Sequence, residues 1–395
     1  MILSDVCEFI VDCPHSTAPD EGEGYPLIRT PNVGKGRLDL NGVHRVSESV
    51  YKQRIQRGAP RANDLIFARE APAGNVALVQ ENQTVCLGQR TVLIRPNVQK
   101  VNPQYLVYYL LSPKPQYELL GTANGATVAH VNLPAIRNLK IELPEKSVQD
   151  KIGTILVTYD DLIENNQKQI KLLEEAAQRL YKEWFVDLRF PGHENTKIVD
   201  GVPEGWSEST VSEVSAVLRR GISPKYNEKA RGIVINQKCI RQTIVSYDEA
   251  RTQEKKYPAE LEMMESDIVI CSTGAGTLGR VGQIFEAKEN VTLDSHVTLI
   301  RANEKIGQQS LLWSLKMKQD YLMNAGKGST NQLELSRETI GSCEILIPER
   351  KIAEQVEKNF VAIHNKMKEC SMQIARLREA RDLLLPKLMS GEVEV

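Results

Sequence analysis

Aromatic side chains are scarce in this chain of 395 residues: Phe, Trp and Tyr together make up 5%. Its cores must therefore be built from Leu, Ile and Val. Net charge is also lacking, since 50 Lys and Arg face 51 Asp and Glu. That balance excludes a free-standing binder that grips nucleic acid by a basic excess. It leaves room for basic residues gathered on one face, or for phosphate contacts shared with a partner. The seven cysteines are odd in number and lack the spacing of a disulfide framework, so they read as free thiols in a reducing, cytoplasmic setting. No apolar run approaches the roughly 18 residues a membrane span needs. Met1-Ile2-Leu3-Ser4-Asp5 has no basic segment followed by an apolar one, so no leader is expected. Cys7, Cys13 and His15 lack zinc spacing. No Walker or Ser/His/Asp pattern stands out, so the chain reads as non-catalytic and as binding no metal or cofactor.

What is present is a repeat. Ile152, Tyr159, Asn166, Leu173 and Leu180 recur, after a shift of about 204 residues (356 minus 152), as Val356, Ile363, Cys370, Leu377 and Leu384. Four residues after each lies a second series: Leu156, Ile163, Ile170, Ala177 and Trp184, then Phe360, Met367, Ile374, Arg381 and Leu388. Positions i and i+4 recurring every seven form one stripe on a helix. The spacing predicts long helices over about 147–184 and 351–388 whose stripes bury on each other, with Asn166, Gln169, Cys370 and Gln373 as register devices. Whatever lies between two such helices is held at a fixed distance, which suits an object that is a long polymer.

The repeat extends into the rest of the chain. Asp64-Leu65-Ile66-Phe67-Ala68-Arg69 matches Asp267-Ile268-Val269-Ile270-Cys271-Ser272, and Thr91–Arg95 matches Val297–Arg301, both as strands. Ile141-Glu142-Leu143-Pro144 matches Ile345-Leu346-Ile347-Pro348, a strand ended by Pro. Ser4-Asp5-Val6 resembles Ser212-Glu213-Val214. Each half is therefore a mixed α/β unit followed by one long helix. Breakers at Phe190-Pro191-Gly192-His193 and Pro203-Glu204-Gly205-Trp206 mark the seam. The expected division is 1–144 globular, 145–188 helix, 189–348 globular, and 349–395 helix and tail.

Three motifs admit a catalytic reading, and each has a plainer one. Gly274-Ala275-Gly276-Thr277-Leu278-Gly279 fits a dinucleotide fingerprint, but the alternating residues after it predict a strand where a helix is needed. Asn102-Pro103-Gln104-Tyr105 resembles the Asn-Pro-Pro-Tyr motif of adenine methyltransferases, yet Asn102 as helix cap and Pro103 as first helical residue account for it. Glu254-Lys255-Lys256 after Asp248 imitates a nuclease tail, but Tyr247 to Lys256 predicts a solvated helical stretch.

The polar glycine loops read differently. Arg69 with Asn75, the stretch 121–127 with Asn124 and Thr127, Arg219-Arg220-Gly221, Thr273-Gly274, and the stretch 327–332 with Lys327 and Asn331 carry groups that bond phosphates and base edges. Ordinary turn chemistry explains any one of them. Their matching places in two repeats point to a shared binding face, with Arg69, Asn75, Asn124, Thr127, Arg220, Thr273, Lys327 and Asn331 as DNA-contacting candidates.

Five stretches carry a family resemblance: Tyr181-Lys182-Glu183-Trp184-Phe185-Val186-Asp187, Val202-Pro203-Glu204-Gly205-Trp206, Asp267–Ile270 running into Ser272-Thr273-Gly274, Pro348, and Leu384-Leu385-Pro386-Lys387-Leu388-Met389-Ser390-Gly391-Glu392. With these the chain resembles the specificity subunit of type I restriction–modification systems. It departs at Arg69-Glu70-Ala71-Pro72-Ala73, where the family has a Thr-Gly turn. The resemblance implies two target-recognition domains in pseudo-two-fold arrangement, each reading half of a bipartite site on double-stranded DNA, joined by two long antiparallel coiled-coil helices. It implies docking of two methyltransferase subunits, which carry S-adenosylmethionine, and a motor-nuclease subunit that can join them. The helix residues expected to pack or dock are Ile152, Tyr159, Leu173, Leu180, Trp184, Val356, Ile363, Leu377, Leu384 and Leu388. The competing readings are a DNA-modifying enzyme acting through Asn102 or Glu254, and a coiled-coil scaffold without nucleic acid.

Overall fold

The computed structural model describes residues 1–121, 130–326 and 333–395. It divides into two compact units, one of residues 1–166 with 373–395 and the other of 167–372. Each holds one mixed α/β repeat with a segment of both long helices.

In the first repeat the strands are β1 (Cys7–Asp12), β2 (Tyr25–Ile28), β3 (Gly36–Arg37), β4 (Arg45–Val46), β5 (Leu65–Ala68), β6 (Val76–Leu78), β7 (Cys86–Leu87) and β8 (Thr91–Pro96). The helices α1 (Glu48–Arg54), α2 (Pro103–Leu111), α3 (Pro113–Gly121), α4 (Leu133–Arg137) and α5 (Lys146–Tyr181) complete it. One sheet runs β1-β8-β5-β6-β3; a smaller one runs β4-β2-β7, with β2 and β7 parallel.

The second repeat begins with β9 (Ile198–Val199), β10 (Val202–Pro203) and β11 (Ser207–Thr210), then β12 (Ser215–Arg220), β13 (Gly232–Ile235), β14 (Arg251–Gln253), β15 (Ile268–Cys271), β16 (Val281–Gln283), β17 (Val291–Leu293), β18 (Val297–Ala302) and β19 (Glu344–Ile347). Its helices are α6 (Gln308–Met317), α7 (Gln319–Asn324), α8 (Arg337–Gly341) and α9 (Arg350–Ser390). The order β12-β18-β15-β16 copies the first sheet, and β14-β13-β17, with β13 and β17 parallel, copies the second. Even the register shift at the start of the first strand recurs, between Cys7 and Phe9 and between Ser215 and Val217.

The equivalent strands β5 and β15 are short apolar runs buried on both faces, so their residues need no alternation. The stretch before Pro348 forms β19 against β11, whereas its counterpart before Pro144 makes only a bridge from Lys140 to Ile2. Tyr247 to Lys256 is not helical: β14 lies within it and pairs with β13, while the Arg251 guanidinium stacks 3.5 Å from the Tyr226 ring centre.

The long helices have 36 and 41 residues. Each starts just after a proline, Pro144 or Pro348, and α9 ends where Gly391 takes a left-handed backbone. Their stripes do more than bury on each other. In the first unit Ile152, Leu156 and Leu388 join the core formed by Leu65, Phe67, Ile94 and Tyr105, with Leu384 packed beside it. In the second, Ala177, Tyr181, Trp184, Val356, Phe360 and Met367 join Ile268, Ile300 and Trp313. Full burial of such a Leu, Ile or Phe is worth about 1.5–3 kcal/mol, so the helices are integral to the globular cores. Asp160 meets Arg381 in the first unit and Gln169 lies 3.8 Å from Cys370 in the second, as an antiparallel pair requires. No helix among the described residues is long and apolar enough to cross a membrane.

Candidate nucleic-acid interface

The central strands carry a matched pair of ends. At one end of β5 the Arg95 guanidinium holds Asp64 with two bonds of 2.8 and 2.7 Å, and Asp64 also accepts the Arg61 amide. Arg301 holds Asp267 at 2.6 and 2.7 Å in the same way, and Asp267 accepts the Met264 amide. These fork-to-fork bridges are common to both repeats and tie the strand entry down.

The other end of each strand holds the loop candidates. Arg69 follows β5 directly. Its Nε donates to the Val131 carbonyl at 2.9 Å, one terminal nitrogen to Asp12 at 2.6 Å, and the other to His130 Nε2 at 2.8 Å. Arginine only donates, so His130 Nε2 accepts and its Nδ1–H donates to Glu70 at 2.9 Å. Glu70 also pairs with Arg90 at 2.7 Å. Arg69, Glu70, Arg90 and His130, with His15 and Gln89, line a cleft of about 330 Å³. Arg90 sits at its rim in a left-handed backbone (φ 66°), a conformation that costs a non-glycine residue energy and that gathers at functional positions. Asn75 is elsewhere engaged, its Nδ2 donating to the Val33 carbonyl at 2.9 Å.

In the second repeat Arg220 ends β12. One nitrogen pairs with Glu334 and the other donates to the Leu335 carbonyl at 2.8 Å. Thr273 Oγ1 lies 2.7 Å from His296 Nδ1 and 3.4 Å from Gln237 Oε1. Gly274 adopts φ 104°, and a Cβ there would fall 2.3 Å from Thr277 Oγ1, so the tight turn needs glycine. The fingerprint-like run 274–279 is thus a turn between β15 and β16, with the Gly279 amide returning to the Cys271 carbonyl at 2.8 Å.

Sequence reasoning therefore located both strand ends, but Arg69, Asn75 and Arg220 spend their hydrogen bonds inside the chain. Asn124, Thr127, Lys327 and Asn331 lie outside the described residues. Glu70, Gln89, Arg90 and His130 were missed; only tertiary pairing brings them together, and the one local signal was the departure at 69–73 from the family's turn. Of the helix residues, Ile152, Trp184, Val356 and Leu388 are buried in the chain's own cores, and Leu173, Leu180, Ile363 and Leu384 pack partly against them. Tyr159 and Leu377 are half-buried. The large apolar side chains that the long helices leave exposed are Leu162, Leu172, Val361 and Leu383.

The catalytic alternatives meet side chains that are already engaged. Asn102 caps α2, its Oδ1 accepting the Tyr105 amide at 3.0 Å, while its Nδ2 donates to Asp150 at 2.7 Å. Glu254 is held by Lys225 and then Asn227, which keep its carboxyl below the usual range.

Comparison with known proteins agrees with this architecture. Among curated relatives, the MjaIX specificity subunit of a type I restriction enzyme from Methanocaldococcus jannaschii is 28% identical over 374 residues, covering 90% of this chain and 83% of the relative. The HindI specificity subunit from Haemophilus influenzae is 24% identical over 412 residues, covering 85% and 87%. Among solved structures, the S subunit of a type I restriction–modification system from M. genitalium matches with a TM-score of 0.57 at 16% identity, covering 98% of this chain and 95% of that one, which establishes the shared fold. Residues 1–175 and 203–369 both match the type I restriction modification DNA specificity domain, and the chain belongs to that family.

Proposed function

We propose that this chain is the sequence-reading subunit of a type I restriction–modification complex, with each globular repeat reading one half of a bipartite DNA site. It does no chemistry itself. Two methyltransferase subunits, which carry S-adenosylmethionine, dock on the long helices, and a motor-nuclease subunit can join the assembly. The observation that carries the reading is the duplication itself: one sheet order, one strand-entry bridge and one polar strand end, each present twice in a single chain. Two similar readers suit a site of two half-sequences. The net charge of -1 suits a subunit whose phosphate grip is supplied largely by partners.

The test is to sequence the methylome of a host expressing the chain with its methyltransferase, and again after residues 1–143 are replaced by those of a relative. One half of the methylated motif should change and the other should stay. A change in both halves, or in neither, counts against one reader per repeat. A salt titration adds a second check: each neutralised phosphate contributes about 0.9 to the log–log slope, so the complex should bind DNA with a much steeper slope than the free chain.

A further inference from the structure

The two repeats satisfy one backbone carbonyl by different means. Register makes the positions equivalent. Ala68 faces Thr91 as Cys271 faces Val297, so Arg69 corresponds to Ser272. Asp12 faces Val92 as Arg220 faces Thr298, so Asp12 corresponds to Arg220. The Val131 amide donates to the Arg69 carbonyl at 2.9 Å and the Leu335 amide to the Ser272 carbonyl at 2.8 Å, so Val131 corresponds to Leu335 and His130 to Glu334. In the first repeat an arginine from the end of β5 reaches the Val131 carbonyl and pairs with the acid at the end of β1. In the second an arginine from the end of β12 reaches the Leu335 carbonyl and pairs with the acid next to it in sequence. Ser272, in the place of Arg69, is buried and lies 2.6 Å from Thr298.

We propose that Arg69 and Arg220 are positioning residues for DNA recognition, each clamping the chain just after its polar glycine stretch to the sheet end, and that neither reads a base. The proposal rests on the reading that each repeat recognises DNA. An arginine that touched a base would be tied to one place. A clamp needs only a guanidinium on that carbonyl and a carboxylate to balance it, so the donor's strand is free to change. That is the pattern of the two repeats. Arg69 is also nearly buried and spends three separate groups on Val131, Asp12 and His130.

The experiment uses the full chain in complex with its methyltransferase, titrated with duplexes carrying the methylated motif or single mismatches in either half. If the wild-type complex does not prefer its motif, the recognition reading itself fails, whatever the variants do. Given that preference, Arg69→Lys keeps the charge but has no fork to reach Val131 and His130 together. A single mismatch ordinarily weakens binding about 5- to 150-fold. With Arg69→Lys, discrimination at every position of the first half should fall on the order of tenfold, the second half should be untouched, and the salt slope should not move. The combination Asp12→Arg, Arg69→Ser, Glu70→Thr and His130→Glu transplants the second repeat's clamp; Glu70→Thr removes a like charge beside the new glutamate. It should restore discrimination in the first half. Loss confined to one base position in Arg69→Lys marks a base contact, and in Arg69→Gln, which removes the charge, a slope lower by about 0.9 marks a phosphate contact; either overturns the proposal. So does full discrimination in Arg69→Lys. A transplant that melts cooperatively but does not recover discrimination overturns it as well.

Discussion

Where the long helices meet their globular units, the two repeats hold the same joint with exchanged parts. In the first, Asn102 caps its own helix α2, and the facing residue of α5 is Gly153, where a Cβ would lie 3.0 Å from the Tyr105 amide nitrogen. In the second, the cap of α6 is Gly307, and the capping group comes from the other side: Glu357 of α9 accepts the Gln309 and Ser310 amides at 3.0 and 2.8 Å and the Ser310 hydroxyl at 2.7 Å. A Cβ on Gly307 would fall 2.1 Å from Glu357. Two turns further along the same pattern recurs. Asp160 is buried with Arg381 and accepts the Tyr108 hydroxyl at 2.6 Å, whereas the matching positions of the second unit hold His364 and Ala177. His364 bonds Gln283 at 3.0 Å and stacks on Phe285, and its Nε2 is buried without a hydrogen-bond partner among the described residues. What a duplicated fold preserves is the satisfied backbone group and the filled volume; which strand or helix supplies the side chain is free to drift.

Breaking the ion pair should cost most. Asp160→Ala leaves the Arg381 guanidinium with only the more exposed Asp382 as partner and the Tyr108 hydroxyl without its acceptor, so the loss should lie near the lower end of the about 3–5 kcal/mol that breaking a buried pair costs. Thermal melting should show the first unit unfolding earlier while the second keeps its transition. An unchanged melt of the first unit would mean that water reaches Arg381.

The second unit should respond to pH instead. Burial pushes the His364 pKa down to about 4, with Glu265 opposing and Lys368 reinforcing the shift. A folded pKa below the ordinary 6.5 means that the unfolded chain binds the proton more readily. Stability is therefore full above about 6.5 and falls as pH drops towards 4, by up to about 3 kcal/mol. Melting curves at pH 7 and pH 5 should separate for the wild type and draw together for His364→Gln. Equal separation in both proteins would assign the effect to other groups.

The capping joint should give smaller changes that a double-mutant cycle can resolve. Asn102→Gly removes the cap side chain, though a glycine there forfeits only a few tenths of a kcal/mol of capping itself, and the rest comes from the bond to Asp150. Glu357→Ala strips three acceptor bonds from α6 and should cost about 1–2 kcal/mol. Gly153→Glu alone crowds the Tyr105 amide, Gln104 and Asn102, but with Asn102→Gly it rebuilds the second repeat's joint and should recover part of the loss. Additive losses in the pair would show that the two joints are not interchangeable.

Leu383→Ser should affect stability least, because this side chain is 63% exposed and surface changes usually stay within about 0.5 kcal/mol. Its expected effect is on assembly: retention of the methyltransferase in a pull-down should drop while the melting curve stays in place. Unaltered retention would move the docking surface to another face of the helix.

Periodic and local patterns were legible without coordinates. The 204-residue shift, the helix stripes, the strands Leu65–Ala68 and Ile268–Cys271, the Asn102 cap and the turn at 274–279 each depend on neighbours within a few positions, or on the same pattern occurring twice. Those are the scales on which backbone hydrogen bonding and amphipathic burial operate. The destinations of charged side chains were not legible. Arg69 and Arg220 have the composition of DNA contacts, and only the folded sheet ends show them bonded to carbonyls and acids far along the chain. The stripe that predicted a helix pair also packs into two globular cores, since an apolar face specifies that it must be buried and not against what. Tyr247 to Lys256 has a helix-like composition but lies along β13, because pairing and the Arg251–Tyr226 stack outweigh propensity differences of under about 1 kcal/mol per residue. Periodicity thus determined the elements and their duplication, and tertiary structure decided the partners, because an ion pair or a cap depends on distances in space that the order of residues does not encode.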